Sequence, residues 1–172
     1  MSKNKYEQYY QAGRDVCGRP FPEFLNFFED YKQKQANVLD LGCGQGRDAL
    51  FIARKGHVVV GVDLSPTGIK QMVEDAQKEG LAVTGIVANI VDFVPEGQYD
   101  VILFDRILHM LDSDEQRTAV LVTSCNNLRP NGHILIADMA KHRPLFQNFF
   151  ENHPANWMLL RKKKGILFAQ RC

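Results

Sequence analysis

The chain has 172 residues, 45% hydrophobic and 24% charged, a balance that excludes a disordered tail, a collagen-like rod and a disulfide mini-scaffold. That length supports one domain with one sizeable core. Twenty-one Lys and Arg against 20 Asp and Glu leave a net charge of +1, so no global basic field exists to hold a nucleic-acid backbone.

In chain order, Tyr6–Tyr10 and Phe24–Tyr31 suggest helices lying over a sheet or its open edge. Asn37–Leu41 is a short apolar run that ends at a glycine cluster. Gly46–Lys55 reads as a helix with Ala49, Ile52 and Ala53 on one face and Gly56 as its stop. His57–Val62, rich in β-branched residues, suits a strand buried on both faces. Ser65-Pro66 starts a helix, because Ser65 can cap free amides and Pro66 needs none at the first helical position. Ala82–Ala88 and Tyr99–Phe104 are further strands. Ser113-x-x-Gln116 is a capping box, followed by Leu121, Cys125 and Leu128 at helical spacing. Arg129-Pro130-Asn131-Gly132 reads as a turn and His133–Asp138 as a buried strand. Leu145–Asn152 is a short helix, and the tail WMLLRKKKGILFAQR is two strands around a charged turn. Strands separated by helices give an α/β doubly wound, mostly parallel sheet, with the terminal pair adding an antiparallel edge.

Cys17, Cys43, Cys125 and Cys172 contain no C-x-x-C pair, which points to a reduced intracellular protein without structural zinc. The N-terminus has no apolar signal region, and no run reaches the ~18 residues of a membrane span. The expectation is one soluble, cytoplasmic domain over residues 1–172 without membrane association, monomeric or homodimeric, with residues 1–35 as a helical lid.

The turn after the first strand reads Asp40-Leu41-Gly42-Cys43-Gly44-Gln45-Gly46. Its glycines permit a tight turn and close backbone approach at the carboxyl end of a strand, where open α/β sheets bind ligands. The position of the third glycine of a dinucleotide fingerprint is Arg47, which cannot supply that glycine's close helix–strand packing. Asp40 lies just before the loop, awkward beside a pyrophosphate but useful beside a cation. Asp63 ends the second strand, where a carboxylate can accept from both hydroxyls of a ribose. The ligand implied carries a ribose, no diphosphate and a positive charge. S-adenosylmethionine meets that description.

The run VLDLGCGQGRDALFIARKGHVVVGVDLSPTGIKQM resembles the front half of a class I S-adenosylmethionine-dependent methyltransferase, especially the small TehB-like and thiopurine-methyltransferase-like branch. The resemblance extends from about Val38 to Asp138. It implies a seven-stranded sheet ending in a hairpin, S-adenosyl-L-methionine as cofactor and S-adenosyl-L-homocysteine as product. It further implies that Gly42, Cys43 and Gly44 line the methionine part, that Asp40 positions the loop, that Asp63 binds the ribose and that Leu64 packs on adenine. Where the family has an acidic residue reading the adenine amine, this chain has Ala88-Asn89-Ile90. Asn89 is then the reader, Ile90 its neighbour and Asp92 an alternative. Phe104 and Asp105, at the end of strand four, fall along the methionine and its methyl.

Arg14 is a candidate for the methionine carboxylate, if the N-terminal segment folds over the site, or else a surface arginine. Asp105 and His109 stand four apart, so a helical turn would place them on one face, with His109 as general base or as packing. Arg106 either pairs with Asp105 or holds an acidic acceptor. Tyr6, Tyr9 and Tyr10 are a lid or plain packing. Direct displacement needs alignment and exclusion of water more than a base, which fits a small acceptor: a thiol, a metalloid oxyanion, a small amine or a carboxylate. The alternatives are a non-catalytic S-adenosylmethionine-binding module or partner-dependent subunit and, further off, an RNA methyltransferase using Arg161–Lys164.

Overall fold

In a computed structural model the described residues are 4–172, with side chains from Tyr6 onward. The elements are α1 (Asn4–Ala12), α2 (Pro22–Asp30), β1 (Asn37–Leu41), α3 (Arg47–Arg54), β2 (Val58–Asp63), α4 (Pro66–Glu79), β3 (Val83–Val87), β4 (Tyr99–Asp105), α5 (Asp114–Asn126), β5 (Leu128–Ala137), α6 (Arg143–Glu151), β6 (Trp157–Lys163) and β7 (Ile166–Arg171). The strands form a seven-stranded sheet of order β3-β2-β1-β4-β5-β7-β6, so the expected α/β class and C-terminal hairpin are found. Two compact units divide the chain after Asp92.

In the first unit, β1 pairs parallel with β2 and β2 with β3. Val38, Leu39, Val59 and Val62 are buried, as a strand covered on both faces requires. His57 is buried too, its Nδ1 accepting the Ala36 amide at 3.1 Å. Helix α4 begins as the sequence dictates: Ser65 Oγ accepts the Gly68 amide at 2.9 Å, Pro66 opens the first turn and Gly80 closes the last in the left-handed region. Ile69, Met72 and Ala76 form its buried face.

In the second unit, β4 and β5 pair parallel, while β5–β7 and β7–β6 are antiparallel. The register jumps from Tyr99↔Leu128 to Val101↔His133, so Arg129–Gly132 bulges out within β5, with Asn131 at φ 62°. The expected turn is therefore a break inside one strand. Ser113 caps α5 by accepting the Gln116 amide at 3.3 Å, and Gln116 reaches back to the amide of Asp112 at 3.0 Å.

The helical turn expected to join Asp105 and His109 is not formed. Arg106 takes φ 51°, which breaks helical spacing at once, and only Leu108–Met110 winds, as a short 3₁₀ turn. The charged hairpin turn has a second task. The Asp138 amide donates to the Gly165 carbonyl at 2.8 Å, and a Cβ placed on Gly165 would lie 1.7 Å from the Asp138 carbonyl oxygen. Only glycine lets these two backbones approach so closely. Gly165→Ala is expected to cost about 1–3 kcal/mol by forcing them apart. Chemical denaturation would show this as a lower midpoint, and an unchanged midpoint would mean the turn yields freely.

Candidate functional site

The glycine loop is tied to the end of β2. The amides of Gly42 and Cys43 donate to the Val62 carbonyl at 2.8 and 3.1 Å, and the Gly44 amide donates to Oδ2 of Asp63 at 2.8 Å. Oδ1 of Asp63 accepts the Ser65 amide at 2.8 Å. One carboxylate thus holds the loop after β1 and the approach to α4, and it keeps acceptor capacity for a further donor. Burial pushes the Asp63 carboxyl up, against the pull of the Ser65, Gly44 and Leu64 amides. Gly42, Gly44 and Gly46 all have positive φ (84°, 54° and 79°), a backbone path that side-chain-bearing residues rarely take.

Two of these glycines also admit protein atoms. A Cβ on Gly46 would meet Met72 Cγ at 2.2 Å, and one on Gly44 would meet the Tyr10 hydroxyl at 2.4 Å. Part of the loop's small-residue requirement is therefore packing of α4 and of the N-terminal segment. Asp40 is buried at the foot of the loop. Burial and neighbouring Asp48 push its carboxyl well up, Arg47 opposes them, and the Ala49 amide at the start of α3 donates to it. It organises the loop's base. Cys43 is likewise buried, with burial, then Asp40 and Asp63, pushing its thiol well up, so it offers no thiolate nucleophile.

Leu64 and Val87 are 44% and 50% exposed, two apolar side chains open to solvent at the ends of β2 and β3. Asn89 donates from Nδ2 to Asp92 Oδ2 at 2.8 Å and accepts the Val91 amide at 3.3 Å. The two residues offered as alternatives thus form one hydrogen-bonded turn. Ile90 is buried.

The N-terminal segment does fold onto the loop, through residues that pattern reading missed. Gln45 Nε2 donates to the Gly13 carbonyl at 2.7 Å, and its Oε1 accepts the Val16 amide at 3.0 Å. Gln71 donates to the Tyr10 carbonyl at 3.0 Å and Arg47 to the Cys17 carbonyl at 3.0 Å. Tyr10 is buried against Gly44, and burial, with Cys17 and Asp63 nearby, pushes its phenol up. Arg14 sits elsewhere: it is ion-paired with Glu74 and Asp75 on α4, its charge already committed. Tyr6 and Tyr9 stack edge to face at 6.2 Å. The only advance signal for the glutamines was Gln45 inside the glycine motif.

Glu7 fastens α1 to the start of α4. Its carboxylate accepts from the Ser65 and Thr67 hydroxyls, the latter at 2.5 Å. Those bonds hold the Glu7 carboxyl below the usual range. A depressed folded-state pKa means that the clamp is fully present above the ordinary glutamate value of about 4.3 and is lost as pH falls through the lower folded value. Amide-exchange protection factors in α1 should therefore hold from neutral pH to about pH 5 and fall only below about pH 4, while Glu7→Gln lowers them throughout.

In the second unit the candidates separate. Phe104 is fully buried, so only its backbone can face a ligand. Asp105 pairs with half-exposed Arg106 at 3.3 Å. His109 instead meets Asp138, a residue not singled out from the sequence: its amide donates to Asp138 Oδ2 at 3.1 Å, and its Nδ1 lies 3.2 Å from Oδ1. No group of three or more possible metal-binding side chains occurs among the described residues.

Residues 32–167 match a family model described as a methyltransferase domain. The chain is 38% identical over 96 residues to a 2-heptyl-1-hydroxyquinolin-4(1H)-one methyltransferase of Mycobacteroides abscessus, covering 55% of this chain and 42% of that protein. It is 27% identical over 109 residues to a ubiquinone biosynthesis O-methyltransferase of Rickettsia prowazekii, covering 63% and 42%. The chain thus spans about half the length of these relatives or less. Among solved structures, a TehB-like SAM-dependent methyltransferase from Corynebacterium glutamicum superposes with a TM-score of 0.77 at 21% identity, covering 99% and 98% of the two chains. The N-methyltransferase NodS of Bradyrhizobium japonicum, in complex with S-adenosyl-L-homocysteine, does so at 0.74 and 16%, with 99% and 98% coverage. At these identities the structural likeness is one of fold. A family match over most of the chain settles its membership: this protein belongs to the methyltransferase domain family.

Proposed function

We propose that this chain binds S-adenosylmethionine and transfers its methyl group to a small-molecule acceptor. The observation that carries this reading is Asp63: a carboxylate at the end of β2, fixed by the Gly44 and Ser65 amides, with acceptor capacity left for a further donor. Beside it stand the exposed apolar faces of Leu64 and Val87, which suit a planar base, and the Asn89–Asp92 turn, which offers polar atoms to an exocyclic amine. S-adenosylmethionine would supply an electrophilic methyl on a sulfonium. The chain's own part is to hold the ribose at Asp63, to set the loop backbone through Asp40 and to exclude water with the Tyr10–Cys17 segment.

In this reading Arg14 secures the N-terminal segment to α4 rather than meeting the methionine carboxylate. Relatives named for a hydroxyquinolinone and for ubiquinone biosynthesis support a small acceptor. The relatives named for a hydroxyquinolinone and for O-methylation favour an oxygen nucleophile over the thiols, oxyanions and amines that the sequence leaves open.

Titration calorimetry tests the cofactor reading. S-adenosylmethionine and S-adenosylhomocysteine should bind with micromolar affinity, and Asp63→Ala should weaken both by about 10- to 100-fold, the value of about one charge-assisted hydrogen bond. NADH should not bind; binding of NADH alone would overturn the reading. Because burial raises the Asp63 carboxyl, affinity should begin to fall at a higher pH than for an exposed aspartate, as protonation removes the charged acceptor.

A further inference from the structure

Asp138, directly after β5, carries a completely buried carboxylate. Its oxygens accept the His109 amide at 3.1 Å and the Met139 amide at 2.6 Å. Oδ1 also lies 3.2 Å from Nδ1 of His109, off the line of a hydrogen bond. That nitrogen is buried and has no hydrogen-bond partner among the described residues. The imidazole is 23% exposed; with Nδ1 buried, the exposure falls on the edge that carries Nε2.

The turn that bears His109 is clamped from a second direction. Arg117, itself buried, donates from Nε to the Leu108 carbonyl at 3.0 Å and from Nη2 to the carbonyls of His109 and Leu111 at 3.4 and 2.5 Å, with Nη1 on Asp114 at 2.8 Å. The other ionisable groups here are Lys141 and His142 from the turn before α6, and Asp105 and Arg106, which pair with each other. Burial, then Arg117 and Lys141, push the His142 imidazole down, against the pull of Asp138 and Asp114. A histidine whose backbone is fixed by a buried carboxylate and a buried guanidinium is preorganised in a way that a surface packing residue does not need.

We propose that Asp138 positions His109 as its Nδ1–H tautomer and that His109 accepts, through Nε2, the proton of a hydroxyl acceptor during methyl transfer. This rests on the methyltransferase reading and narrows it to acceptors that are still protonated near neutral pH, such as phenols and other hydroxylated aromatic compounds. The acceptor oxygen forms its bond to the methyl carbon while the carbon–sulfur bond breaks with its electron pair on sulfur. The hydroxyl proton passes to Nε2 of His109 and then to solvent. A thiolate or an oxyanion arrives ionised and leaves His109 without a proton to take.

Long-range ¹H–¹⁵N spectra of ¹⁵N-histidine-labelled protein read the tautomer directly, with His109→Gln assigning the signal. The Nδ1–H form is expected in the wild type and a shift toward Nε2–H in Asp138→Asn. An Nε2–H wild type overturns the proposal whatever the activity. With S-adenosylmethionine as donor, an unactivated phenol and thiophenol serve as paired acceptors. His109→Gln should lower kcat on the hydroxyl compound about 100-fold or more, with KM changed less than about threefold, and this loss should exceed that on thiophenol by at least about tenfold. Equal losses on the two acceptors make the pair structural and overturn the proposal. Should Asp138→Asn fail to fold, His109→Gln and the wild-type tautomer carry the test, because neither disturbs the two backbone bonds of Asp138. Retained S-adenosylhomocysteine binding with no product from either acceptor overturns the acceptor class alone. Absence of that binding in the wild type overturns the methyltransferase reading itself.

Discussion

One half-buried carboxylate sets the geometry of the first unit. Asp63 stands where β2 stops, and each oxygen is spent on a backbone amide of a different segment, Gly44 in the glycine loop and Ser65 before α4. Burying that charge is unfavourable, as the raised carboxyl shows, and two short amide bonds offset part of the cost. The loop's left-handed path at Gly42, Gly44 and Gly46 then follows, since only such a path turns the Gly44 amide back onto β2. Without the carboxylate, the loop would lose the anchor that shapes it.

The same loop is also where the N-terminal segment is fastened, and this couples stability to the candidate site. Gln45 lies between two of the loop's glycines and binds the Gly13 carbonyl and the Val16 amide, while Tyr10 packs on Gly44 so closely that a methyl group there would collide with it. Glycines that read as openings for a ligand are thus partly sites of protein contact. The two uses are compatible, because a residue without a side chain presents backbone on one side while accepting a neighbour on the other.

The strands and the caps were legible in the sequence because their signals are local. β-branched runs at His57–Val62 and His133–Asp138, Ser65-Pro66, and the Ser113–Gln116 box each declare their structure within a few residues. The Asp105–His109 juxtaposition was illegible for a reason located at one residue. Helical spacing presumes right-handed backbone throughout, and Arg106 at φ 51° breaks it, a conformation that no pattern of side-chain types announces. The partnership of His109 with Asp138 joins residues 29 positions apart through pairing of β4 and β5, so it could be seen only once their register was known. Gly165 is similar: in sequence it is one residue of a charged turn, and in the fold it is the contact surface for the backbone of Asp138.

Asp63 and Asp138 solve one problem in two places. A parallel strand that ends leaves the next backbone amides without ladder partners, and an aspartate at that point supplies two acceptors for them. Each of these carboxylates takes two amides: Gly44 and Ser65 in one case, His109 and Met139 in the other. Each then has acceptor capacity left over, directed away from the backbone it has fixed. At Asp63 that surplus stands beside exposed Leu64, and at Asp138 it stands beside a buried imidazole nitrogen with no hydrogen-bond partner among the described residues. Satisfying a strand end with a carboxylate, rather than with a hydroxyl or an amide, therefore leaves a fixed charge of known direction. In this fold such charges arise from the requirements of the sheet, and ligand-facing chemistry can be built on them with no further cost in burial.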